Sequence, residues 1–178
     1  MKIVDFGTWK IGIGTKKEIR QNREQADTWI VIPKNMLQRG KVPRNVIRAV
    51  EELTDTSAAA FDADDLSGIM GAESICRIGV GTGRGADMIR KAINNAVESR
   101  LFGARISKAS GIVFRLAGDI SLDDASKAAS IIQEMTGYQY REDKVLGIKL
   151  KEDADIISSF AYDGRRKGQC RVTIIAAG

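Results

Sequence analysis

From residue 75 to residue 145, short apolar runs of strand length alternate with longer segments of helical periodicity. Residues 75–80 predict a strand. Residues 86–101 predict a helix with Ile89, Ile93, Ala96 and Val97 on one face. GIVFRLAG (111–118) predicts a strand bounded by glycines. Ser121 caps a helix over 122–135, with Asp123 and Asp124 in its first turn and Leu122, Ala125, Ala129 and Ile132 as its buried stripe. A strand follows at 145–150, and 156–162, a turn at 163–168 and 169–176 read as a closing hairpin. That order points to an α/β (α+β) chain, a mixed β-sheet flanked by helices.

The N-terminal part is built differently. Residues 1–14 predict a strand pair or an extended arm, broken by Gly7, Gly12 and Gly14, and 15–25 are polar and helix-compatible. TWIVIP (28–33) is a β-branched run stopped by proline and predicts a buried strand. A short helical turn follows. A helix then begins near Pro43, with Val46, Ile47, Val50 and Leu53 on one side. Residues 54–60 (TDTSAAA) have little apolar periodicity and read as a linker. The expected organisation is an N-terminal arm and helix at 1–53 and a main domain at 54–178.

Composition narrows the chemistry. The 178 residues contain no histidine, which excludes a Ser-His-Asp triad, a histidine general base and a histidine-containing zinc site. The two cysteines, Cys76 and Cys170, are far apart in sequence and sit in expected strands, so they read as buried small hydrophobes. No window approaches the roughly 20 apolar residues that cross a bilayer, and MKIVDFGTWK has no signal-peptide core, so the expected compartment is the cytoplasm. Charge is uneven. Residues 1–50 hold 11 Lys and Arg against 4 Asp and Glu, whereas 51–75 hold 7 acids and no base. The basic segment suits a solvated face or, alternatively, an interaction module for nucleic acid or an anionic membrane, although no aromatic run supports base stacking.

Two motifs stand out. GVGTGRG (79–85) lies between an expected strand and helix, where backbone amides cradle phosphate. Its spacing is not G-x-G-x-x-G and no Walker lysine follows, so a flexible strand-to-helix turn is the plainer reading. FDADDLSGIM (61–70) reads as an acidic loop entering a helix, with Asp62, Asp64 and Asp65 within four positions. Such carboxylates hold a divalent cation or orient a water, and equally they cap a solvated helix. The DGRRKGQ turn (163–169) is basic and is explained as a glycine-containing hairpin tip.

Taken in order, these pieces resemble FtsZ, of the tubulin superfamily. DTWIVIP (27–33) with residues 34–37 is similar to a strand and helix start of that family. Residues 61–70 are similar to the acidic loop and helix joining its two halves. The glycine-rich 79–85, the helix at 86–101, the strand at 112–117, the helix at 122–135 and the terminal VTIIAAG (172–178) are similar in order to its C-terminal domain. The resemblance covers residues 18–178. It implies an FtsZ-like C-terminal domain in which the acidic loop completes the GTPase site of the next subunit in a filament. Asp62 and Asp65 match the family's two aspartates, which implies a catalytic contribution in trans. Ala60 stands where the family has asparagine, and the loop glycine has no match.

The family's nucleotide-binding half belongs upstream of DTWIVIP, where only 26 residues stand. Either the chain is a fragment or it is a homologue that has discarded nucleotide binding. The resemblance therefore implies no self-contained GTPase, no cofactor or metal on this chain, and GTP only on a complete homologue or partner. The implied partner is the chain itself or an FtsZ-like protein. A third possibility is a small nucleotide-binding protein using residues 79–85.

Overall fold

The computed structural model describes residues 1–54, 61–71, 75–103, 105–143 and 148–178. Most of the expected linker, Ala60 included, lies outside the described residues, as do 145–147 of the strand expected at 145–150.

The arm at the N-terminus is a hairpin. Lys2–Phe6 (β1) and Trp9–Gly14 (β2) pair antiparallel with Phe6 opposite Trp9, and Gly7 in the two-residue loop takes a φ of +61° without a Cβ clash. Thr15 then caps Lys16–Gln21 (α1): its side chain accepts from the Glu18 N–H, while Glu18 accepts from the Thr15 N–H at 2.8 Å. The chain returns through Thr28–Val31 (β3), four buried residues running parallel to β2. Arg44–Leu53 (α2) follows and buries Val46, Ala49, Val50 and Leu53, positions spaced by a helical turn.

The remaining elements are Ala63–Met70 (α3), Ile75–Arg84 (β4), Met88–Val97 (α4), Gly111–Gly118 (β5), Leu122–Thr136 (α5), Tyr138–Asp143 (β6), Ile148–Asp153 (β7), Asp155–Tyr162 (β8) and Gln169–Ala177 (β9). Among the described residues seven strands form one mixed sheet in the order β1-β2-β3-β4-β9-β5-β8, and β6 pairs with β7 separately. The expected α/β class holds.

The closing hairpin does not form. β8 and β9 exist, but β5 lies between them, parallel to β8 and antiparallel to β9. The reason is the two-sided apolar character of GIVFRLAG: Ile112, Phe114 and Leu116 face one side and Val113 the other, all fully buried. A strand that apolar on both faces is covered by a packed layer on each side, as strands in the interior of a sheet are, rather than left at its margin in a hairpin. The stripe expected on α5 is also shifted. Its buried face runs through Ala125, Ala128, Ile131 and Ile132, while Leu122 is 87% exposed.

The sheet separates two apolar layers. Under α2 and α3, Ile11, Ile13, Ile30, Ile78, Val113 and Ile175 pack with Val50, Leu53, Leu66 and Met70. Residues from before and after position 53 share this core. On the opposite face Ile112, Phe114, Val172 and Ile174 pack with Ile89, Ile93, Ile131 and Ile132 of α4 and α5. Trp29 forms a smaller cluster with Ile19 and Val31 beside α1. Among the described residues no helix is long and apolar enough to cross a membrane.

Candidate functional site at the start of helix α3

The glycine-rich motif is not a turn. β4 runs unbroken to Arg84, and Gly79, Gly81 and Gly83 stand opposite Ile174, Val172 and Cys170 in the ladder with β9. Alternate residues of a strand share a face, so all three glycines lie under α4. An added Cβ would strike the carbonyl oxygen of Ala96, Ala92 or Met88 respectively. The glycines therefore serve a close approach of helix backbone to strand backbone. The helix that follows does not begin as a phosphate site either. Asp87 occupies its N-cap at φ +60°, and its carboxylate binds Lys127 at 2.9 Å. That hydrogen bond, first among its causes, holds Asp87 below the usual carboxylate range.

The acidic motif is a capped helix start. Asp62 is the N-cap of α3: its Oδ1 accepts from the Asp65 N–H at 2.7 Å, and Asp65 Oδ2 accepts from the Asp62 N–H at 3.3 Å. Phe61, one residue before the cap, and Leu66, four after it, are both buried in the same core cluster, the arrangement of a hydrophobic staple. Asp62, Asp64 and Asp65 are exposed. The cap uses one oxygen of each bonded carboxylate, which leaves Asp62 Oδ2 and Asp65 Oδ1 outside it. Among the described residues no group of three His, Cys, Asp or Glu side chains converges to hold a metal ion. The arrangement presents negative charge from a rigid base, since α3 packs on β5, β8 and β9.

The cysteines are buried, as expected. Cys170 Sγ donates to the Met88 carbonyl at 3.4 Å, and burial pushes its thiol above the usual range. The basic turn carries its own counter-charge, with Asp163 binding Arg165 Nε at 2.8 Å and Arg166 Nε at 3.3 Å.

Sequence reasoning missed two sheet arginines, one buried and one partly buried. Arg115 on β5 is 8% exposed and donates from Nη1 to Ser159 Oγ at 3.0 Å. Arg171 on β9 reaches Glu52 at 3.2 Å, and Glu52 also binds Arg48 at 2.8 Å. Burial pulls Arg171 below the usual arginine range, and Glu52 opposes that pull. The available signal was a cation inside an apolar strand run, where strand alternation still assigns it to the buried sheet.

No family model matches the sequence. Among solved structures, an empty FtsZ dimer of M. jannaschii superposes with a TM-score of 0.65 at 16% identity, over 97% of this chain and 55% of that one. CetZ1 from Haloferax volcanii, a GDP-bound monomer, gives 0.57 at 13% identity, over 93% and 53%. CetZ2 from the same organism, in a GTPγS-bound protofilament, gives 0.55 at 13% identity, over 94% and 55%. The chain thus spans about half the length of the proteins it matches. Its fold is the mixed α/β fold that FtsZ and CetZ, of the tubulin superfamily, share with it over that half, consistent with the FtsZ C-terminal domain.

Proposed function

We propose that the chain acts by associating with a second FtsZ-like subunit, either its own copy or a nucleotide-competent relative, and that Asp62 and Asp65 contribute to that neighbour's GTPase site. The observation that carries this reading is the pair of exposed carboxylates fixed in a reciprocal cap, each with one oxygen outside it. Two such oxygens on a rigid helix start suit the positioning of an attacking water or a cation beside a terminal phosphate. Proteins of the same fold support the association, FtsZ as a dimer and CetZ2 as a protofilament. The nucleotide would be held by the partner, and the assembly would be cytoplasmic.

The test is to add the chain to a nucleotide-competent FtsZ and follow phosphate release. Asp62→Asn is the informative variant, because asparagine caps a helix about as well as aspartate but carries no charge. Wild type is expected to raise the rate, and the variant to lose roughly a hundredfold of that stimulation, the scale of one positioned catalytic side chain. Equal stimulation by both proteins would count against the reading.

A further inference from the structure

A second site lies on the other side of the sheet, at the carboxyl ends of the parallel strands β2 and β3. A cavity of about 430 Å³ opens there, floored by Val31, Ile32 and Pro33 and rimmed by Lys16, Lys17, Lys34 and Arg77. Crevices at the carboxyl ends of parallel strands are where open α/β sheets take ligands. A cavity of about 310 Å³ adjoins it, shares Arg77, and adds Arg105 and Lys108. Gly103 and Phe102 line the first and second cavities respectively, so the connection from α4 to β5 walls both. Together they form one trough with Arg77 between its two lobes.

The charge of this trough is one-sided. Among the described residues no Asp or Glu side chain lines either lobe. Among the described residues none of the six cations is ion-paired with a carboxylate. The cavity on the outer face of α2 offers a contrast. Lys2, Arg44, Arg48 and Arg171 line it, but so does Glu51, and Glu52 already binds Arg48 and Arg171. Cations are abundant in both places, yet among the described residues the trough has no acidic lining. Six unpaired cations around low-dielectric walls focus a positive potential that an anion relieves.

We infer that the trough binds a small ligand carrying two or more phosphate or carboxylate groups, with Arg77 bridging the two lobes. The size of each lobe falls in the range of small-molecule pockets, and the apolar floor under a few polar groups matches their usual lining. A single nucleic-acid strand fits less well. Among the described residues the one aromatic ring that lines the trough, Phe102, is fully buried and offers no face for base stacking. A membrane surface fits less well too, because the cations rim a concavity.

Titration calorimetry on the full chain tests this with inorganic tripolyphosphate and citrate as probes, at two salt concentrations. Saturable binding of at least one probe is expected, and the tighter one tells phosphate from carboxylate recognition. Arg77→Gln should weaken it at least tenfold. Lys34→Gln, at an exposed position, should weaken it several-fold even if Arg77→Gln disturbs folding. Arg48→Gln in the contrasting cavity should leave it unchanged. The inference is overturned if neither probe saturates, or if Lys34→Gln binds like wild type. It is equally overturned if a single-stranded oligonucleotide or a phosphatidylserine vesicle displaces the probe at far lower concentration.

Discussion

The strand under α4 and the first turn of α3 are both short stretches of small or polar residues, and they meet solvent in opposite ways. At Gly79, Gly81 and Gly83 the helix backbone lies directly on the strand, with no room for a Cβ. At Asp62, Asp64 and Asp65 the side chains stand in solvent, while the cap hydrogen bonds and the Phe61–Leu66 staple tie the helix start to the core. One stretch is closed by packing and does structural work. The other is held from below and left open above, which is what a surface meeting a second molecule requires.

Two further helix starts calibrate the second stretch. α5 begins with Ser121 and Asp124 in the same reciprocal arrangement, and α1 with Thr15 and Glu18. A neutral hydroxyl suffices at both N-caps. The charge of Asp62 is therefore more than its cap needs, and the proposed association in trans would give that surplus a use.

The largest expected effect is at the closed stretch. Gly81→Ala places a methyl group on the Ala92 carbonyl and the Ala96 amide, and overpacking of that kind costs about 3 kcal/mol or more. A urea midpoint equal to wild type would remove the close-packing account. Cap removal is smaller. Asp62→Ala and Ser121→Ala should each cost about 1 kcal/mol, measured the same way. A much larger loss at Asp62 alone would mean that its carboxylate has a structural role beyond the cap.

The smallest effect is a pH dependence at the third cap. The Glu18 carboxyl is held down at about 2, chiefly by its hydrogen bond with the Met1 ammonium and then by the Thr15 amide. Its folded value lies below the ordinary glutamate value of about 4.5. Its contribution is therefore complete above about pH 4.5 and disappears as pH falls through about 2. Glu18→Gln should flatten that part of the stability profile in acid titrations followed by circular dichroism. An unchanged profile would detach Glu18 from the acid response.

Much of this was legible in the chain. The capping boxes announce themselves as Asp62-x-x-Asp65 and Ser121-x-x-Asp124, and the strands of the core as β-branched runs. Other features were hidden for physical reasons. Glycine punctuates chains so often that GVGTGRG read as a turn, although its period of two matches one face of a strand. The hairpin reading of β8 and β9 followed from their adjacency in sequence, and only the two-sided burial of β5 separates them. The trough around Arg77 could not be read at all, because α1, the turn after β3, β4 and the connection after α4 supply its cations from four separate places.

The central claim is that the charge at Asp62 serves a partner and its geometry serves the fold. The most direct measurement compares wild type and Asp62→Asn twice, once by urea denaturation and once by phosphate release from a nucleotide-competent FtsZ mixed with each. The account predicts matching urea midpoints together with a strong stimulation that the variant loses. Matching midpoints with matching phosphate release would contradict it and leave α3 as a helix start that is merely well capped.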